Sequence, residues 1–266
     1  MAHILAIDTA TPLCGVALLR SDGQPFVRRA RVTTHSETLF SLLDDCMAAA
    51  DVRPADLTAI ACSAGPGSFT GLRIGLSTAK GLCFALDRPL LLISSLHALA
   101  AATAARDGHA LAVLDAFRGQ LFARLLPAPG QPVPNPVATA LRADPRLASD
   151  GVWSPSDLTA ALAPLAGSLI LCSAGPLPPH AAPLASLAQR IVVDDVTAPN
   201  GRHLAPHDGT QPPSEPPPVT LARLALDRLA AGDVADLHAA VPNYICASAP
   251  EQAEAERARL AAQPSA

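Results

Sequence analysis

Two stretches, Ala6-Ile7-Asp8 followed by Gly15-Val16-Ala17-Leu18 and Ala112-Val113-Leu114-Asp115 followed by Gln120-Leu121-Phe122-Ala123, have the same layout. In each, an apolar strand closes on an aspartate and a hairpin strand follows. Around the first copy, β-like segments are predicted at Ile4–Ile7, Gly15–Arg20 and Phe26–Val32, then a helix over Ser36–Ala50, with Ser36 as N-cap and Glu37 complementing the helix dipole. Within that helix Leu39, Leu42, Leu43, Cys46, Met47 and Ala50 fall on one apolar stripe. A strand (Leu57–Ser63), a helix (Gly71–Leu86), a strand (Leu90–Ile93) and a helix (Ser95–Ala105) complete a βββαβαβα order. The second copy implies a duplication of that unit.

Such a duplication is the architecture of the actin-like superfamily. The expectation is therefore an α/β, two-lobed actin-like fold built on a duplicated ribonuclease H-like unit. Its first lobe would span 1–105 and its second 106–215. A returning helix and tail would occupy 216–246, with helix over Thr220–Ala231, and 247–266 would be a flexible extension. The proline-rich stretches 127–136 and 198–218 read as loops, since proline supplies no N–H to a helix or sheet ladder.

The 266 residues are half hydrophobic, only 3% aromatic, and carry a formal net charge of −4. That balance speaks against a chain that grips nucleic acid alone, because phosphate neutralisation needs clustered Lys and Arg. Arg28, Arg29 and Arg31 are the longest basic run, and their alternation fits an edge strand. Six cysteines (Cys14, Cys46, Cys62, Cys83, Cys172, Cys246) form no CxxC pair and lie mostly in apolar runs. The start of the chain turns polar too soon for a signal peptide, and no apolar run reaches spanning length. A cytoplasmic protein with reduced thiols is expected.

The stretch Ser63-Ala64-Gly65-Pro66-Gly67-Ser68-Phe69-Thr70-Gly71-Leu72-Arg73-Ile74-Gly75 joins strand to helix through closely spaced glycines. It is neither a Walker A loop nor a dinucleotide fingerprint. Its chemistry fits a tight structural turn or an anion site at the helix N-terminus. Asp8, Thr9, Gly65, Gly67, Ser68, Thr70 and Gly71 are the candidate nucleotide or anion contacts. Asp8 and Asp115 stand where kinases of the superfamily handle magnesium and water, yet neither has the glycine that admits phosphate. Satisfying backbone donors in a turn is the alternative role. His203 and His207 bracket Pro206, which breaks the helical spacing a metal pair needs, so no metal is expected.

The run GPGSFTGLRIGLSTAKGL from Gly65 resembles the signature of the TsaB (YeaZ) family. Asp8-Thr9-Ala10-Thr11, His35-Ser36-Glu37-Thr38-Leu39, Val113-Leu114-Asp115-Ala116 and Pro242-Asn243-Tyr244-Ile245 are similar to further motifs of that family. Phe117 and Cys246 depart from it. The resemblance implies a non-catalytic scaffold and dimerisation subunit of the complex that forms N6-threonylcarbamoyladenosine in tRNA. The implied partners are a TsaD-like transferase subunit and a TsaE-like ATPase, with a homodimer when alone, tRNA contacted indirectly and no membrane. No cofactor of its own is implied, with ATP or ADP at the complex interface. A small-molecule kinase or ATPase of the superfamily is the rival reading, and a metallopeptidase-like activity a more distant one.

The Gly71–Leu86 helix carries a second arc of small and apolar residues beside its main stripe, more than one sheet contact needs. Arg73, Ser77 and Lys80 form its polar ridge. With the resemblance, the expected partner interface is Leu39, Leu42, Leu43, Met47, Leu72, Gly75, Thr78, Ala79 and Leu82. A bulky residue at Gly75 is then expected to break the complex and leave the monomer folded.

Overall fold

In the computed structural model, residues 2–31, 35–103, 108–128, 135–194 and 211–245 are described, the side chains of 35–37 and 135–136 excepted. The described residues build two five-stranded sheets. In the first, β1 (Ile4–Asp8), β2 (Leu13–Leu19), β3 (Pro25–Arg31), β4 (Ala59–Gly65) and β5 (Leu90–Ser94) take the order β3-β2-β1-β4-β5. In the second, β6 (His109–Asp115), β7 (Leu121–Leu126), β8 (Gly151–Trp153), β9 (Leu169–Ser173) and β10 (Ala188–Val193) run β10-β9-β6-β7-β8. Read from the other edge, the second order is the first again. The pairing senses repeat too: an antiparallel hairpin (β1–β2, β6–β7), then a parallel neighbour (β4 beside β1, β9 beside β6). The chain has the duplicated α/β, actin-like fold expected from its two hairpin openings.

Alternation along each strand sorts side chains into layers. On β1, Leu5 and Ile7 meet helices α1 (His35–Ala50) and α2 (Phe69–Leu86) through Leu39, Leu42, Cys46, Leu76 and Cys83. The other face, with Ile4 and Ala6, packs with Ala17, Ala59 and Ala61 on Val219, Leu221, Ala222 and Ala225 of α7 (Pro217–Ala230). On the second sheet, Ala110 and Ala112 join Leu96, Leu99 and Ala100 of α3 (Ser95–Thr103) in one cluster. Leu111 and Val113 face the opposite layer, with Val137 and Ala140 of α4 (Asn135–Ala143) and Leu158 and Leu162 of α5 (Pro155–Leu162). A one-turn helix, α6 (Ala182–Ala185), adds Leu184 to that layer. The connecting helices are thus exchanged: α3 follows the first sheet and covers the second, while α7 follows the second and covers the first. Alanine on both inner faces keeps these layers close.

The proline run of the linker differs from its expected loop. Pro217 and Pro218 lie in the first turn of α7, where a helix has no use for their missing N–H groups. Gln211 exchanges backbone hydrogen bonds with β10, accepting from Val193 N (2.9 Å) and donating to Ile191 O (3.0 Å). Its other residues up to 210, Cys246, the His203–His207 pair and the 247–266 extension lie outside the described residues. The N-cap expected of Ser36 falls on an undescribed side chain. Cys14, Cys46, Cys62, Cys83 and Cys172 are buried free thiols.

Candidate functional site: the glycine loop and the outer faces of its helices

The loop between β4 and α2 is built against the turn that follows β1. Ser68 N donates to Ala10 O (2.7 Å), Thr9 N to Ser63 Oγ (3.3 Å) and Thr9 Oγ1 to Gly71 O (2.8 Å). A Cβ on Gly67 would meet Ala10 O at 2.2 Å, and one on Gly71 would meet Thr9 O at 2.1 Å. The glycines allow this approach because they present no side chain. Ser68 caps α2, its Oγ accepting from Gly71 N (3.2 Å). The loop is thus a tight turn packed on the end of β1. On the side of Gly67 and Gly71 where a Cβ would stand, the backbone carbonyls of Ala10 and Thr9 lie close. Thr70 is exposed on the first turn of α2, whereas Gly65 is buried beneath Asn243.

Asp8 and Asp115 both bond backbone. Asp8 Oδ1 accepts from Ala10 N (3.1 Å) and Asp115 Oδ1 from Phe117 N (2.7 Å). Burial pushes the Asp8 carboxyl above its ordinary value, against opposing help from Ala10 N–H, the Ser63 hydroxyl and Arg29. Among the described residues, no three His, Cys, Asp or Glu side chains converge as a metal site.

The expected interface residues divide. Leu39, Leu42, Leu43, Leu72, Gly75 and Ala79 are buried in the chain's own core. Gly75 faces Thr9, because the apolar stripe that seemed to exceed one sheet's need also packs on the β1 turn. Met47, Thr78 and Leu82 are half-buried. The outward faces instead carry Phe40 (59% exposed) on α1 and Phe84 (78% exposed) on α2. Beside Phe84, Ser77, Gly81 and Ala85 repeat every four residues on an exposed row, and a Cβ on Gly81 would have nothing within 4 Å.

The polar ridge of α2 has an occupant that periodicity could not reveal. Lys80 Nζ donates to His238 O (3.3 Å) and Ala240 O (3.2 Å), and Asn243 N donates to Ala64 O (2.6 Å). Arg73 lies 3.8 Å from the centre of the Phe69 ring and donates through Nε to Tyr244 Oη (3.0 Å). The closing segment from Ala235 to Tyr244 is therefore a strap along α2, anchored at its far end by Ala235 N donating to Leu90 O (2.9 Å).

Known proteins match this part of the chain. A model of the TsaD family, tRNA N6-adenosine threonylcarbamoyltransferase, matches residues 29–125. The protein "tRNA threonylcarbamoyladenosine biosynthesis protein TsaB" of Bacillus subtilis is 40% identical over 127 residues, covering 46% of this chain and 54% of that one. Its namesake in Escherichia coli is 33% identical over 122 residues, covering 45% and 53%. A Pseudomonas aeruginosa crystal structure, described as an uncharacterized protein similar to peptidase YEAZ, aligns over 92% of this chain and 100% of its own. Its TM-score is 0.65 at 25% identity. The chain is thus similar in sequence to curated TsaB proteins and in fold to a YeaZ-like structure. It spans about half the length of the curated TsaB relatives it matches. No helix among the described residues is long and apolar enough to cross a membrane.

Proposed function

We propose that this chain is a TsaB-type, non-catalytic scaffold subunit in the cytoplasmic machinery that forms N6-threonylcarbamoyladenosine in tRNA. It would support a TsaD-like transferase, with a TsaE-like ATPase in the same assembly and a homodimer when alone. The names of the relatives supply the pathway. The observation that carries the scaffold role is the glycine loop, which is packed against Thr9 and Ala10. With both aspartates engaged by backbone donors, the same elements offer little for phosphoryl transfer. The exposed faces of α1 and α2, with Phe40, Phe84 and the open position at Gly81, give a partner apolar area and a close helix approach. Any nucleotide would then sit on the ATPase or at a joint surface, and tRNA contact would fall mainly to other subunits, consistent with the net charge of −4.

The test mixes the full chain with TsaD-like and TsaE-like subunits and follows the modified nucleoside with each component left out. Omission of this chain should abolish product. ATP or substrate turnover by the purified chain alone would reject the reading in favour of a kinase or ATPase.

A further inference from the structure

The repeated topology brings the carboxyl ends of both sheets to one cleft, the usual ligand position in open α/β sheets. Asp8 ends β1, Ser95 follows β5, Leu114 lies near the end of β6, and Asp194 follows β10; all line this cleft. Arg29 enters from β3 and Pro218 from the start of α7. The Arg29 guanidinium, its residue only 4% exposed, donates through Nη2 to Asp194 Oδ2, and Asp194 is 3% exposed. The pair spans the lobes. Asp194 is fixed to the second sheet by its own backbone, N donating to Ser173 O (2.7 Å) and O accepting from Gly175 N (3.0 Å). Gly15, opposite Arg29 in the β2–β3 register, leaves room for Pro218 and the Arg29 stem; a Cβ there would lie 2.5 Å from Pro218 Cγ.

This contact is incomplete in a specific way. Arg29 Nε and Nη1, Asp194 Oδ1 and Ser95 Oγ are buried and make no hydrogen bond among the described residues. They are two donors, one acceptor and one hydroxyl about a space of about 10 Å³. A space of that order holds one water, which needs two to four polar partners. It is far too small for a nucleotide.

We propose that the interlobe cleft is a hydrated latch: Arg29, Asp194 and Ser95 bind a water that completes the Arg29–Asp194 pair and holds the two lobes closed. The latch is independent of the scaffold reading, because it concerns how the lobes are joined, whatever they dock. A buried pair with satisfied lone pairs and protons is tenable, whereas one with loose ends is costly.

Two measurements on the full chain test it. A crystal structure at a resolution that places waters should show one within hydrogen-bond distance of Arg29, Asp194 Oδ1 or Ser95 Oγ, with at least two of them as partners. A cleft without it overturns the proposal. In hydrogen exchange, Asp194→Asn should speed the Gly175 amide and the amide of the substituted residue at least tenfold and leave strand amides such as Leu5 and Leu111 unchanged. If that variant does not fold, Arg29→Lys, which keeps the charge but loses the fork, should give the same local pattern. Unchanged exchange, or a rise shared equally by both sheets, would overturn the latch.

Discussion

Gly75 of α2 lies directly against Thr9 of the β1 turn, so closely that a Cβ on Gly75 would come within 2.1 Å of Thr9 Oγ1. That hydroxyl is not free to move aside, because it donates to Gly71 O at 2.8 Å. The residue that the family resemblance placed at a partner interface therefore packs within the chain itself. Gly75→Leu should destabilise the monomer by about 1–3 kcal/mol, the usual cost of overpacking a close site. Urea unfolding monitored by circular dichroism would show a lower midpoint with an unchanged slope. A midpoint equal to that of the parent chain would contradict the packing argument.

Gly81, six residues on, gives the contrasting case. A Cβ there meets nothing within 4 Å, so a side chain fits the monomer. Gly81→Gln should leave the melting temperature equal or higher, since glycine inside a helix costs about 1 kcal/mol relative to alanine. The same change should weaken self-association or pairing with a TsaD-like subunit, measured by sedimentation equilibrium. Unaltered association would remove this row of α2 from the proposed docking face.

The first sheet and its helices were legible because their apolar periods are clean and their turns are short. The stripe Leu39, Leu42, Leu43, Cys46 and Ala50 is core, as its spacing implies. The expected strand at Leu57 begins instead at Ala59, and the helix expected at Gly71 begins at Phe69, one residue after its Ser68 cap. Much of the second lobe escaped, because α4, α5 and the one-turn α6 are short and proline-interrupted, and β8 has three residues. At the site, periodicity could separate apolar from polar faces of α2 but not say what covers either. Thr9 lies 62 residues from Gly71 and Tyr244 lies 171 from Arg73, separations that no local pattern reports. Arg29 was equally hidden: on an edge strand its alternation reads as solvated, yet its ion pair turns it inward.

Asp8 makes the stability depend on pH with a definite sign. Burial holds its folded-state pKa above the ordinary 3.8 of an exposed aspartate, so the folded chain binds the proton more tightly than the unfolded one. Stability contributed by this group is therefore greatest in acid and falls as pH rises from about 3.8 through the folded pKa. Asp194 adds to the upward shift, while Arg29, Ser63 and Ala10 N–H work against it. Asp8→Asn keeps an oxygen for Ala10 N–H and removes the charge. The variant should gain stability relative to the parent as pH increases, with no gain below the unfolded pKa. Paired urea titrations between pH 4 and 8 would read this, and a constant difference across that range would show that Asp8 does not titrate as its burial implies.

The strap along α2 depends on Tyr244 at the end of the described chain. Its ring lies 4.8 Å from that of Phe69, and its hydroxyl accepts from Arg73 Nε, which also places the guanidinium over Phe69. Tyr244 is 38% exposed, so the contact is half solvated and worth about 0.5–1.5 kcal/mol. Tyr244→Ala should consequently lower global stability only slightly. The local effect should be larger, because Asn243 N to Ala64 O is the neighbouring tie and the Lys80 contacts to His238 O and Ala240 O involve a flexible side chain. Hydrogen exchange at Ala235–Tyr244 should accelerate while α2 and β4 amides keep their protection. Acceleration in α2 as well would mean that the strap is part of the helix's own cooperative unit, and a partner docking on the outer face would then meet a surface whose order depends on the strap.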